Sequence, residues 1–285
     1  MQRRRRAERK RMGRGNGWAT RALLGLSALV VLAGIVSRVR GVSELTATVV
    51  ATPSPTPLTA AFDETMETRQ LLLEAEGWYC LQSGVFSTLE AAQAKSSAYA
   101  GRGAPGFVAP DGDKFRVLLS AYGSQEDALR VKDRLSAQQG VETYVHQMIR
   151  PALHLQLSGM RGQLDVIDAA AALLPSLART WRDTALLVDR GELASEELTT
   201  LAQENAEQSR VMLRVLEERF LSPAPPLAQQ LQQLLSGAEA SAGRIGGAAQ
   251  DSLTTASAQL KMEALALHQA LKTAWEAILS EGNPA

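Results

Sequence analysis

The sequence has very little of what most enzymes use. It holds one cysteine, Cys80, in 285 residues, so no disulfide can form within the chain and a bridge-stapled fold is excluded. Three histidines are present, His146, His154 and His268. The first two lie eight apart with no cysteine or clustered carboxylate nearby, so no metal site is expected. Nucleotide and acyl-transfer motifs are missing too: there is no G-x-S-x-G elbow, Walker loop or dinucleotide fingerprint. Cys80 has neither a helix start nor a histidine beside it in sequence to activate its thiol. These absences predict a binding protein with no catalytic residues and no cofactor.

Net charge is zero only as an average. Residues 1–40 carry eleven basic groups against one acid, Glu8, and of the 30 basic and 30 acidic residues in all this leaves 19 and 29 for 41–285. The acidic remainder lacks the phosphate-neutralising charge that nucleic acid demands, so no nucleic-acid partner is expected.

Between Arg21 and Arg38 the sequence ALLGLSALVVLAGIVS carries no charge. Its sixteen residues rise about 24 Å as a helix, which snorkelling arginines at both ends extend toward a hydrocarbon core of roughly 30 Å. Nine basic residues precede the segment and two come after it, so the positive-inside rule predicts a cytoplasmic tail, 1–21, and export of the chain from residue 41 onward. The expectation is a single-pass anchor at 22–37 in the cytoplasmic membrane. A cleaved signal peptide is the alternative, although Arg38 and Arg40 stand where a small-residue processing site would lie. Residues 38–76 read as a Thr/Pro-rich spacer (TATVVATPSPTPLT), with a short helix expected over 62–76.

From Trp78 the pattern becomes strand–helix–strand–strand–helix–strand. WYCLQSGVF is a strand, Ser87-Thr-Leu-Glu90 opens a helix to about Tyr99, and GFVAP and FRVLLSAY flank the Asp111-Gly112-Asp113 turn. A second helix starts at Ser124 and ends at Gly140, and VETYVHQM is the last strand. The halves match at an offset of 36: Tyr79, Leu81, Phe86, Thr88, Glu90 and Ala92 fall on Phe115, Val117, Tyr122, Ser124, Glu126 and Ala128. Two such units build a ferredoxin-like four-stranded antiparallel sheet with both helices on one face, leaving the other open. Simple alternation puts Gln82 and Gly84 on that open face with Arg116, Leu118 and Ser120.

The phrases Leu81-Gln-Ser-Gly-Val-Phe-Ser87 and Phe115-Arg-Val-Leu-Leu-Ser-Ala-Tyr122, in this order and at this separation, resemble the SPOR domain over about 77–149. That resemblance implies binding of septal peptidoglycan, with a preference for glycan strands stripped of stem peptides. Gln82 and Arg116 match positions the family uses for glycan contact. Chemically, Gln82 suits an N-acetyl amide and Arg116 a lactyl carboxylate, while Gly84 admits the sugar and Leu118 and Ser120 complete the surface. The sequence departs from the family at Ser120, where glycine is usual, and at Lys114, where an aromatic is common. The order of basic tail, span and SPOR domain is similar to that of sporulation-stage membrane proteins.

The rest, 151–281, reads as an all-α bundle with helices over about 152–173, 176–189, 192–221, 226–237 and 248–280. Seams at Leu198, Leu201, Asn205, Gln208, Met212 and Val215, and at Ala256, Leu260, Ala264, Leu267, Leu271, Ala274 and Ile278, suit a bundle or a docked partner. Asn205 and Gln208 favour the wetter, partnered alternative. The overall expectation is an anchored α+β protein that binds septal glycan in division or sporulation. Its alternative is a helical scaffold recruiting division or sporulation proteins.

Overall fold

A computed structural model describes residues 65–100 and 104–281. The spans expected at 1–21, 22–37 and most of 38–76 lie outside the described residues. Among those described, no helix is long and apolar enough to cross a membrane.

The elements in chain order are β1 (Met66–Leu73), β2 (Glu76–Phe86), α1 (Leu89–Ala100), β3 (Phe107–Asp111), β4 (Lys114–Tyr122), α2 (Gln125–Gln139), β5 (Tyr144–Arg150), β6 (Leu153–Met160), α3 (Arg161–Asp189), α4 (Ser195–Arg219), α5 (Pro226–Asp251) and α6 (Leu253–Glu281). The protein is α+β: a strand-rich region over 66–160, then helices.

Strands β3-β4-β2-β5 form an antiparallel sheet in that order. Local chemistry sets its two helices. Thr88 Oγ1 accepts from the Ala91 amide at 3.2 Å, so the cap of α1 is one residue later than Ser87. Ser124 caps α2 by accepting from the Asp127 amide at 3.1 Å, and Gly140 stops it at φ 63°. Both helices pack on one sheet face, burying Leu81, Val117, Leu119 and Tyr122 against Ala92, Tyr99 and Ala128.

Two regions differ from the sequence reading. The helix expected over 62–76 is strand β1, and the helix expected from 152 begins at Arg161, because Leu153–Met160 is strand β6. These strands pair with each other antiparallel. Leu153, Leu155 and Leu157 alternate inward, a period of two that a helix could not use. On β1 the inward side includes Arg69, whose guanidinium bridges Asp165 at 2.8 Å and Asp168 at 2.7 Å on α3. A charged residue facing inward conceals the alternation. The register runs on without a shift from β1–β6 into β2–β5: Leu73 faces Leu153 and, three residues along, Glu76 faces Arg150. A single ribbon is thus interrupted at residues 74–75 and 151–152.

The helices are fewer and longer than expected. Pro175 lies inside α3, where buried Leu173, Leu174, Leu177 and Trp181 hold the turn despite the lost backbone bond. Gly243, Gly246 and Gly247 lie inside α5, whose Ala238, Ala242, Ile245 and Ala249 are buried. Packing overrides propensity at both places. Helix α3 runs along α6, α4 along α5, and α5 on α6, so each expected seam closes on another helix of the bundle. Asn205 is buried in that closed seam, with Nδ2 lacking a partner, and Gln208 is half-buried. Glu263 is also buried, and accepts from Ser241 at 2.6 Å and from Arg244 Nη2 at 2.8 Å.

Candidate functional site

Directly paired residues of neighbouring strands share a face, so the ladders define the surface opposite α1 and α2. Across it run four rows. Trp78 pairs with Met148, and Cys80 with His146 and Ala121. Gln82 pairs with Tyr144 and Leu118, and Leu118 with Phe107. Val85 pairs with Arg116, and Arg116 with Ala109.

Two register shifts change which residues reach this face. They fall between Leu81 and Gln82 and between Gln82 and Gly84, so Leu119 on β4 and Ser83 on β2 are bulged. Each bulge reverses the alternation beyond it. Ser120 therefore pairs with Leu81 and lies on the helix side, where its hydroxyl donates to Tyr122 Oη at 3.1 Å. Gly84 pairs with Val117 on the helix side as well, and Val85 takes the place expected for Gly84. Gln82, Arg116 and Leu118 keep the expected side.

At the centre is Arg116. Its Nη1 donates to Gln82 Oε1 at 2.6 Å, and its Nη2 meets Asp111 Oδ2 at 2.6 Å. The fork is thus held flat by two neighbours, and its Nε is buried without a partner. The side chain of Arg116 is 23% exposed, while Gln82 is only 8% exposed. Around them stand Tyr144, 64% exposed, and Val85, 40% exposed. His146 is half-buried beside them, and burial together with the Arg116 charge holds its pKa below the ordinary histidine value. Sequence reasoning misses Tyr144, Val85 and His146. The bulge that turns Val85 outward has no local signal, and a lone tyrosine or histidine on the last strand carries no motif.

The other end of the face is covered. Helix α6 packs across β3, β4 and β5, and α3 touches β4. The His268 ring of α6 stacks on Trp78 with centroids 4.1 Å apart and planes 18° from parallel. The Arg182 guanidinium of α3 sits 5.0 Å from the Trp78 ring centroid. Trp78, Cys80 and Leu118 are fully buried. Trp78 Nε1 donates to Glu76 Oε1 at 2.9 Å, and Glu76 Oε2 accepts from Arg150 at 3.2 Å and Arg179 at 3.0 Å. Burial alone would raise the Glu76 pKa, but the indole N–H, Arg179 and Arg150 outweigh it and hold the carboxylate below its usual range. Burial pushes the Cys80 thiol up to about 12 and pulls His268 down to about 4. Among the described residues no cluster of histidine, cysteine and carboxylates could hold a metal ion.

A four-stranded antiparallel sheet of this order, with two helices on one face and a polar Gln–Arg pair on the other, agrees with the family phrases carried by β2 and β4. Residues 75–146 match the SPOR domain family. That segment is a SPOR domain. It covers about a quarter of the chain and leaves out β1, β6 and the four-helix bundle. No curated protein and no solved structure matches the chain. The SPOR domain is a binding domain for peptidoglycan, so the chemistry to explain is recognition of a sugar polymer.

Proposed function

We propose that this is a membrane-anchored peptidoglycan-binding protein of the bacterial division or sporulation septum, which grips denuded glycan strands on the SPOR sheet. The match over residues 75–146 carries the reading. The accessible site consists of Arg116, held by Gln82, with Tyr144 and Val85, while Leu118, also expected there, lies buried on the same face. Held flat by Gln82 and Asp111, the Arg116 fork offers a carboxylate a preorganised partner, which limits the ordering cost on binding. Tyr144 gives an apolar ring for the flat side of a pyranose, and its hydroxyl can reach the sugar's own. Gly84 and Ser120 are placed on the helix side, so they support the sheet and do not touch the sugar. The anchor at residues 22–37 would hold the domain on the outer side of the membrane, with no nucleic acid or cofactor involved.

The test is pelleting of the full chain, in detergent, with peptidoglycan sacculi before and after enzymatic removal of stem peptides. Binding should increase on trimming and be lost in Arg116→Ala. Equal pelleting by wild type and a folded Arg116→Ala protein would remove the proposed site.

The covering of Trp78, Cys80 and Leu118 by the bundle favours a second reading, in which the bundle recruits division or sporulation proteins and the sheet is chiefly a structural layer. Septal localisation that persists in Arg116→Ala cells would support that reading.

A further inference from the structure

The described residues lie in one compact unit, within which two sets of elements are joined by two strand connections. Helix α3 packs against β1 and β6 and along α6, so ribbon and bundle make one group. The sheet with α1 and α2 makes the other. The two strands that join them, β1–β2 and β5–β6, leave their ladder at Glu74–Ala75 and Pro151–Ala152 while the register on either side is unchanged. Pro151 has no amide hydrogen to give the ladder, which is a local reason for the break. Such a break permits bending with no loss of strand pairing on either side.

Across this junction the side chains are packed, but not every buried polar atom is hydrogen-bonded. His268 Nε2 and Arg150 Nε and Nη1 are buried there without a partner. Each is a polar group whose desolvation is not offset, and opening would return it to water. Arg179, which makes one of the ion pairs across the junction, lies at its rim with 45% of its side chain exposed.

We propose that α6 gates the glycan face: bundle and ribbon swing away from the sheet about the break at residues 74–75 and 151–152, and the glycan strand takes the helix's place. This rests on the peptidoglycan reading of the SPOR sheet. In the closed form a strand reaches only Arg116, Tyr144 and Val85, whereas Trp78, Cys80 and Leu118 lie under the helix. In the open form the sheet offers Trp78 and Leu118 as well, extending the contact along all four strands. The glycan binds the open form better, so its apparent affinity is reduced by the fraction of molecules that are open. Loosening the junction raises that affinity without touching the sugar site.

Cys80 makes the gate measurable, being the one cysteine in the chain and fully buried on the covered face. The full chain in detergent is compared with His268→Ala/Arg179→Ala, neither of which touches Arg116 or Gln82. Two quantities are read: the rate of maleimide reaction at Cys80, and pelleting with sacculi trimmed of stem peptides. In the variant Cys80 should react at least about tenfold faster, and half-maximal pelleting should need several-fold less glycan. Helical circular dichroism confirms the fold, and Arg179→Gln alone gives the same test with a smaller factor should the double variant not fold. A folded variant whose Cys80 reacts no faster overturns the hinge. Faster reaction without tighter binding, in a protein whose wild type binds, overturns the gate. Faster reaction with no binding by either form sinks the glycan reading instead.

Discussion

The His268 imidazole of α6 lies on the Trp78 indole of β2, joining a residue of the helical bundle to the second residue after the start of the SPOR sheet. Trp78 is enclosed by His268 and by the Arg182 guanidinium, and its N–H is held by Glu76. This contact makes the fold sensitive to pH: burial above all opposes a charge on the His268 ring, the Glu76 carboxylate partly offsets it, and Arg150 and Arg182 oppose the charge further.

With His268 held near 4 in the folded chain against 6.5 unfolded, the unfolded state takes up a proton first as pH falls. The His268 contribution is therefore full above about pH 6.5 and declines between pH 6.5 and about pH 4, by up to about 3 kcal/mol. Glu76, held low by its partners, adds a loss only at more acid pH. Urea denaturation from pH 7.5 to 4.5 should show this decline, and His268→Phe, which keeps the stack and cannot titrate, should flatten it. A variant with the same slope as wild type would place the proton uptake elsewhere.

Gly106, just before β3, has φ 58°, and a Cβ there would stand 2.6 Å from the Ser96 carbonyl oxygen and 2.7 Å from its Cα on α1. Gly112, in the β3–β4 turn, has φ 60° with open space around it. Gly112→Ala should cost about 1 kcal/mol for the left-handed backbone alone. Gly106→Ala adds a clash with helix backbone that cannot rotate aside, so its cost should exceed the other by about 1–3 kcal/mol. Paired thermal melts of the two variants check the difference.

The SPOR sheet is legible in the sequence because its strands and helices are local: alternation in Trp78–Phe86 and Phe115–Tyr122, the capping hydroxyl at Ser124 and the glycine at Gly140 each report on their own neighbourhood. The same alternation puts Arg116, Gln82 and Leu118 on the right face. It misplaces Gly84 and Ser120, because a bulge is a property of two strands and appears only when their register is known. The covering of the face depends on α6, nearly 200 residues after Trp78 along the chain, and nothing local marks His268 as its partner. Pro175 and the glycines of α5 look like breaks and are not, since backbone propensity is a weak signal beside a buried leucine and alanine stripe.

Strand β1 is hidden in the sequence for a reason that is itself testable. Its inward Arg69 joins Asp165, Asp168 and Glu67, and these partners raise its pKa above the ordinary arginine value. The side chain is about a third exposed, so solvent screens the cluster and the gain is modest. Arg69→Ala should cost about 1 kcal/mol at low salt and less at high salt, where wild type loses most of the same advantage. Arg69→Leu, which keeps the alternation and removes the charge, should leave the two carboxylates of α3 facing an apolar neighbour and be no more stable. Urea midpoints of the three proteins at 20 mM and 1 M salt (concentrations on the order of those where screening is weak and strong) decide it.

Arg116 separates the role of charge from that of shape. Lysine keeps the positive charge but has one ammonium in place of a fork, so it cannot hold Gln82 and Asp111 together while facing a ligand carboxylate. Arg116→Lys should bind trimmed sacculi at least about tenfold more weakly than wild type, close to Arg116→Ala, while its stability changes by about 1 kcal/mol or less. Asp111→Asn is the informative companion. It removes the charge of one of the two groups that hold the fork, keeps an acceptor oxygen there, and leaves the guanidinium charge freer for a ligand. If Asp111 serves mainly to orient Arg116, this variant binds more weakly than wild type. If it competes with the glycan carboxylate, the variant binds more tightly, and the fork is then a latch released by ligand. Sedimentation of the three variants at equal glycan concentration, with melting curves alongside, distinguishes orientation from competition at one arginine.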